Sequence, residues 1–316
     1  MIDRVESLGV DLFGDVVRTT PNGIVSQKFG FPPFSVLDAR SGDWVDRKRR
    51  WKDAGLQSEV GRDAASIHCP TSSGDDGASG DANYTSIFDP VLCECAYRWF
   101  TPTGAQIVDP FAGGSVRGVV AGAMGRRYFG VDLRAEQVGA NKEQASTMDL
   151  SIPPVWINGD SMEVLDGEEC PKADFVFSCP PYGDLEQYSD DPRDLSSMEW
   201  PTFVAAYSRI IMRSVRILKN DRFACFVVGD FRDAKGFYRN FVGATVSAFE
   251  QCRARLYNEA VLVTSVGSAS MRVSRQFEAS RKFAKTHQNV LVFVKGDPVK
   301  AAAFARGESA KGEVEE

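Results

Sequence analysis

The stretch Ile107-Val-Asp-Pro-Phe-Ala-Gly-Gly-Ser115 decides the fold. A short apolar strand, Gln106 to Asp109, ends on an acid and runs through a turn containing Gly113 and Gly114. A small-residue helix follows over Val116 to Met124. This is the strand–turn–helix unit of an open α/β sheet, in which ligands bind beyond the carboxyl ends of the strands. The two glycines let the backbone approach a ligand closely, and the helix start offers N–H groups with no intrahelical partner. The spacing is not G-x-G-x-x-G, and the lysine of a phosphate-binding loop is absent. A compact zwitterionic ligand therefore fits the turn better than a pyrophosphate.

Outward from this stretch, strands and helices alternate. Val91 to Phe100 reads as a helix entered through Asp89 and Pro90. Arg127 to Val131 reads as a strand ending at Asp132, Glu136 to Met148 as a helix, and Val155 to Ile157 as a strand ending near Asp160 and Ser161. Asp174 to Ser178 is a further strand. Phe203 to Leu218 is a helix with Ile210, Ile211, Val215 and Leu218 at helical spacing. Arg222–Val228, Ala260–Thr264 and Asn289–Val294 complete the set. The alternation predicts an α/β fold, a mostly parallel sheet with helices on both faces. Asp132 is placed to accept hydrogen bonds from two ribose hydroxyls, and Asp160 to accept one from an adenine amine. Together with Asp109 and the glycine turn, they describe a nucleoside pocket without a phosphate site.

A second motif follows a buried strand: Phe177-Ser-Cys-Pro-Pro-Tyr182. Pro180 and Pro181 stiffen the turn and remove two N–H donors. The carbonyls of Cys179 and Pro180 are left to accept the protons of an exocyclic amine, and Tyr182 offers a ring on which a planar base can stack.

These motifs resemble those of the S-adenosylmethionine-dependent DNA amino-methyltransferases, and of the phage and prophage type in particular. The likeness covers roughly residues 85 to 297. It implies a Rossmann-like class I methyltransferase sheet, with Asp109, Pro110, Phe111, Gly113 and Gly114 as the glycine motif. It further implies Asp132 as the ribose acid, Asp160 with Ser161 as the adenine contact, and Phe88, Asp89 and Pro90 beside the cofactor's methionine end. Cys179, Pro180, Pro181 and Tyr182 match its catalytic turn. S-adenosylmethionine (SAM) is the cofactor so implied. The implied reaction is methylation of adenine N6 or cytosine N4 in duplex DNA, with the target base flipped out.

One position departs from the family pattern. Cys179 stands where the family carries Asp, Asn or Ser. A thiol is a weak acceptor, so the Pro180 carbonyl and Ser178 must contribute more to holding an amine. The thiol also opens a covalent route, addition to carbon 6 of a pyrimidine followed by methylation at carbon 5, with Asp184 or Glu186 as the acid. Two further readings stay open: a non-catalytic methyltransferase-fold subunit that binds nucleic acid, and an enzyme acting on RNA or on a protein glutamine.

The 316 residues include 37 Lys and Arg against 43 Asp and Glu, a formal charge of −6. That excludes a uniformly basic nucleic-acid coat, so any such contact needs a local basic surface. Arg40 to Arg62 has a net charge of +3 around Trp51, and Ser265 to Lys300 has +5. In the second segment Arg272, Arg275, Arg281, Lys282 and Lys285 read as a mobile phosphate clamp. In the first, Trp51 among cations reads as a solvated helix face or a stacking patch. Asp184 to Glu199 carries −5 and reads as a solvated loop or a cover over the cavity. His287 reads as structural. Seven cysteines without a C-x-x-C pair suit reduced thiols, and no metal site is expected. With no apolar run long enough for a membrane span and no visible signal peptide, the expected location is the cytoplasm. The oligomeric state stays open, a homodimer included. The expected organisation is an N-terminal extension (1–68), a linker (69–83), the main domain (84–300) and a tail (301–316).

Overall fold

The computed structural model describes residues 7–10, 16–18, 30–57, 88–183, 188–266 and 269–308. The expected linker at 69–83 lies outside them, as do Thr85–Ile87, Asp184, Glu186 and the side chain of Arg272.

Eight strands form one sheet in the order β3-β9-β10-β8-β7-β4-β5-β6. They are β3 (Val36–Asp38), β4 (Gln106–Asp109), β5 (Arg127–Asp132), β6 (Val155–Asn158), β7 (Ala173–Ser178), β8 (Leu218–Val228), β9 (Ala254–Val263) and β10 (His287–Lys295). A separate antiparallel pair joins β1 (Ser7–Val10) and β2 (Val16–Arg18). From β6 across to β8 all pairs are parallel; β10 runs antiparallel to both β8 and β9. This is a Rossmann-like α/β sheet with one reversed strand. The chain builds β4, β5 and β6 in one direction, then crosses back to lay β7 on the other side of β4. The crevice between β4 and β7 is the topological switch point, where doubly wound sheets bind ligands.

The central strands β4, β7, β8 and β10 are buried on both faces over most of their length, and alternate residues serve the two cores. Ile107, Phe175, Phe177, Phe223, Cys225, Val227, Val290 and Val292 enter one apolar cluster, with residues of α2 (Pro90–Phe100), α3 (Val116–Ala123) and α4 (Ala135–Ser146). Val108, Val176, Ala224, Phe226, Val228, Leu291 and Phe293 enter the other. There they meet α6 (Trp200–Ile217) and α7 (Phe241–Gln251), and Leu165 just after the short helix α5 (Ser161–Val164). Phe249 of α7 stacks on Phe293 with ring centroids 3.9 Å apart.

The structure corrects the expected organisation at three places. First, residues 30–57 are integral to the main domain. Leu37 on β3, Trp44 and Trp51 on α1 (Gly42–Asp53), and Leu56 all belong to the first core cluster. The seven-residue spacing of the tryptophans puts both on one helix face. Secondly, α9 (Pro298–Ala305) crosses the boundary drawn at 301: Ala301 is buried, and Arg222 lies 3.4 Å from the centre of the Phe304 ring. Thirdly, much of the basic segment expected to be a mobile loop is the helix α8 (Ala269–Ser280).

Candidate active site at the switch point

Asp109 ends β4 at the floor of the crevice and is fully buried. Its Oδ1 accepts from Ser178 Oγ and Phe111 N; its Oδ2 accepts from Arg117 Nε and, at 2.7 Å, from Tyr128 OH. Arg117 is committed in turn, with Nη2 donating to the carbonyls of Phe111 and Ala112. Burial opposes the charge on Arg117, but the Asp109 carboxylate beside it holds the guanidinium protonated. The buried pair ties β4, β5, β7 and the start of α3 together. Asp109 therefore sits below the cavity and does not line it.

Above this floor, Gly113 takes a φ of +49°, a backbone state that suits glycine. Its N–H donates to Asp132 Oδ2 at 2.8 Å, and its carbonyl accepts from Asn141 Nδ2 at 2.7 Å. Asn141 is itself held by Gln137. Asp132 Oδ1 accepts from the Arg134 N–H at 2.9 Å. Burial pushes the Asp132 carboxyl up to about 6, against the opposing hydrogen bonds from Arg134 and Gly113. Asp160 caps α5 through a hydrogen bond from the Met162 N–H, and Ser161 Oγ donates to the Pro110 carbonyl at 2.6 Å.

One cavity joins these groups to the second motif. Pro110, Phe111, Gly113, Gly114, Asp132, Asp160 and Ser161 line it beyond β4, β5 and β6. Cys179, Pro180, Pro181 and Tyr182 line it beyond β7, and Phe88, packed on Phe177, lines it as well. Tyr182 packs edge-on against Phe231 and Phe241, and its hydroxyl accepts from Gln288 Nε2 at 2.7 Å. Burial pushes the Tyr182 phenol up, and its hydrogen bond with the Cys179 side chain adds to that.

Several sequence-derived site residues lie off the cavity. The Asp89 carboxylate is consumed at the start of α2: Oδ1 accepts from Val91 N and Trp44 Nε1, Oδ2 from Lys48 Nζ. Asp89 and Pro90 back the Phe88 wall without joining it. The Ser178 hydroxyl is wholly buried on Asp109, so it does not reach an amine in the cavity. Arg275 and Arg281 lie on or just after α8, with Arg281 over the Phe277 ring. His287 begins β10, opposite Val263.

The sequence reading missed Tyr188, Arg193, Asp194 and Leu195, which also line the cavity. They belong to the acidic stretch read as a solvated loop or a cover over the cavity, and its residues 188–199 are folded. Asp194 caps a single turn by accepting from the N–H and Oγ of Ser196 and from Ser189 Oγ, and Arg193 pairs with Asp191. The signal was present in Asp194-Leu-Ser-Ser197, an Asp cap followed by a buried leucine. Among the described residues no cluster of three or more His, Cys, Asp or Glu side chains suits a metal ion, and no helix is long and apolar enough to cross a membrane.

Among solved structures the chain is similar to TrmN from Thermus thermophilus: 14% identity, 67% of this chain and 51% of that one, TM-score 0.45. It is similar to a TehB-like SAM-dependent methyltransferase from Corynebacterium glutamicum: 16% identity, 62% and 82% of the chains, TM-score 0.37. A third is magnesium protoporphyrin IX methyltransferase from Synechocystis with bound SAM: 12% identity, 69% and 87%, TM-score 0.41. The match spans about half the length of TrmN. No family model and no curated protein matches the chain.

Proposed function

We propose that the chain is a SAM-dependent methyltransferase that modifies an exocyclic amine of a DNA base, adenine N6 or cytosine N4. The observation that carries this reading is one cavity at the switch point with two chemically different walls. One wall offers a carboxylate beyond β5, another beyond β6, and a glycine turn beyond β4. Of the arginines that line the cavity, Arg117 is engaged by Asp109 and by backbone carbonyls, Arg134 by Gln137 and Arg193 by Asp191. The two carboxylates therefore make this wall suit a ligand with hydroxyl and amine donors rather than phosphates. Asp132 and Asp160 would hold ribose and adenine, and Gly113, Gly114 and Phe88 would border the methionine end.

When bound, SAM supplies an electrophilic methyl group on a sulfonium. The other wall orients the acceptor. The Cys179 and Pro180 carbonyls would accept hydrogen bonds from the amine N–H groups and turn the nitrogen lone pair toward the methyl, while Tyr182 closes one face of the base. The carbon–sulfur bond breaks as the carbon–nitrogen bond forms, S-adenosylhomocysteine leaves, and the methylated nitrogen gives one proton to solvent. Catalysis is then mostly positioning and exclusion of water. Mass spectrometry of nucleosides from DNA incubated with the protein and SAM tests this reading. N6-methyladenine or N4-methylcytosine is the expected product, and the absence of any methylated base overturns it.

The thiol of Cys179 at the cavity wall favours one alternative, covalent addition to a pyrimidine and methylation at carbon 5. Replacement Cys179→Ser separates the two: amine methylation persists in the variant, whereas carbon-5 methylation stops.

A further inference from the structure

Beside the catalytic turn stands a hairpin that neither wall of the cavity requires. Phe231 to Arg239 folds back on itself, with Arg232 bridged to Tyr238. The Asp233 N–H donates to the Phe237 carbonyl, the Gly236 N–H to the Asp233 carbonyl, and the Phe237 N–H to Asp233 Oδ1. These bonds make a stiff tip and spend its acid on the backbone. The tip projects Phe237, 71% exposed, next to Tyr238, whose ring carries the Arg232 guanidinium 3.9 Å from its centre.

A second element lies against it. The turn after α8 carries Arg281, Lys282 and Lys285, and Lys282 reaches over Gly236 at the hairpin tip. Phe283, 74% exposed, stacks on Phe277 with centroids 5.7 Å apart. The hairpin touches the catalytic turn through Phe231, which packs on Tyr182. The second element comes near it at Gly229, which lies beside both the Tyr182 ring and the Lys285 side chain. The two segments, 229–240 and 281–285, carry six cations against Asp230 and Asp233, in a chain of net charge −6.

We propose that this ledge binds the unpaired nucleotides flanking the target base, with Phe237 and Phe283 stacking on bases and Lys282 and Lys285 meeting phosphates. The proposal rests on the nucleobase reading of the Pro180–Pro181 turn. Exposed aromatic rings set among cations are how proteins hold single strands without reading a groove. Enzymes that act on a base also take single-stranded substrate, whose neighbouring bases are unpaired, so a stacking surface on the hairpin that supports Tyr182 has a ready occupant.

Fluorescence anisotropy with a labelled single-stranded oligothymidine tests it, with calorimetric SAM binding run in parallel. The expected result is that Phe237→Ala weakens the oligonucleotide about tenfold. Lys282→Ala and Lys285→Ala should each lower the salt slope by about 0.7. SAM affinity should be the same in all three variants. Equal oligonucleotide affinity in wild type and Phe237→Ala overturns the proposal. So does a Phe237→Ala variant that loses only self-association in sedimentation, because a second copy then covers the ledge. A protein that methylates DNA with the same KM in all three variants keeps the function and loses the ledge. One that binds the single strand as described but yields no methylated base keeps the ledge and loses the function.

Discussion

Arg40–Arg62 and Ser265–Lys300 have net charges of +3 and +5, and each mixes its cations with aromatic residues. In the folded chain Trp51 of the first is 1% exposed, while Phe283 of the second is 74% exposed. The difference comes from what lies opposite. Helix α2 presents Glu94 and its cap Asp89 to the first segment, and α1 answers them in kind. Arg47 grips both oxygens of Glu94, Trp51 Nε1 donates to Glu94 Oε2, and Lys48 pairs with Asp89. No ion pair from Arg281, Lys282 or Lys285 to an acid is seen among the described residues, and their segment remains at the surface. A basic stretch with aromatic residues thus turns inward where the chain sets buried acids against it, and stays at the surface where it does not.

The largest expected effect falls on the inward segment. Trp51→Ala removes a fully buried ring from the core and should cost about 3–5 kcal/mol in denaturant unfolding. Phe237→Ala on the outward ledge should change stability by no more than about 0.5 kcal/mol. Similar losses in the two variants would break the contrast. Next, Arg47→Met leaves Glu94 buried beside Arg98 and the Trp51 N–H. A loss of about 3 kcal/mol is expected, and it should not be recovered in high salt, because the pair is shielded from solvent.

The same contrast separates two strand-end acids, and here sequence and structure can be weighed. The strand–turn–helix around Asp109, the order of acids Asp109, Asp132 and Asp160, and the Pro-Pro turn were legible, since each depends on local spacing. That Asp109 faces inward was not, because its partners Arg117, Tyr128 and Ser178 come from three other elements. Helix α1 was obscured for a related reason. Its Trp44–Trp51 face also carries Arg47 and Lys48, whose charges disguise a buried stripe until Asp89 and Glu94 are placed against it. Helix α7 had a readable period in Phe241, Thr245, Ala248 and Phe249, all buried, but its small and polar residues diluted the pattern.

Asp109→Asn should therefore act on stability, with a loss of about 3 kcal/mol as Arg117 loses its buried partner. Asp132→Asn should act on SAM affinity and on its pH dependence. Burial holds the Asp132 carboxyl at about 6, above its ordinary 3.8. The folded protein thus binds this proton more tightly than the unfolded chain, and the contribution of Asp132 to stability falls as pH rises from about 4 through about 6. Ligand binding has the opposite sign, since hydroxyl donors need the ionised carboxylate. SAM affinity should weaken below pH 6, approaching tenfold per unit, and binding near pH 6 should release protons. Calorimetry in buffers of different ionisation heat reads both. A flat profile in the wild type removes Asp132 from the ribose-binding role.

The smallest effect expected is at Lys48, and it bears on whether α1 reaches the cavity at all. Lys48 is half-exposed and pairs with an Asp89 carboxylate that keeps the Val91 N–H and the Trp44 indole as donors. Lys48→Gln should cost less than about 1 kcal/mol. If Asp89 is a cap that merely backs Phe88, SAM affinity in this variant equals that of the wild type by calorimetry. A clear drop in affinity at unchanged stability would mean that Asp89 is shared between α1 and the ligand, and the inward segment would then belong to the site as well as to the core.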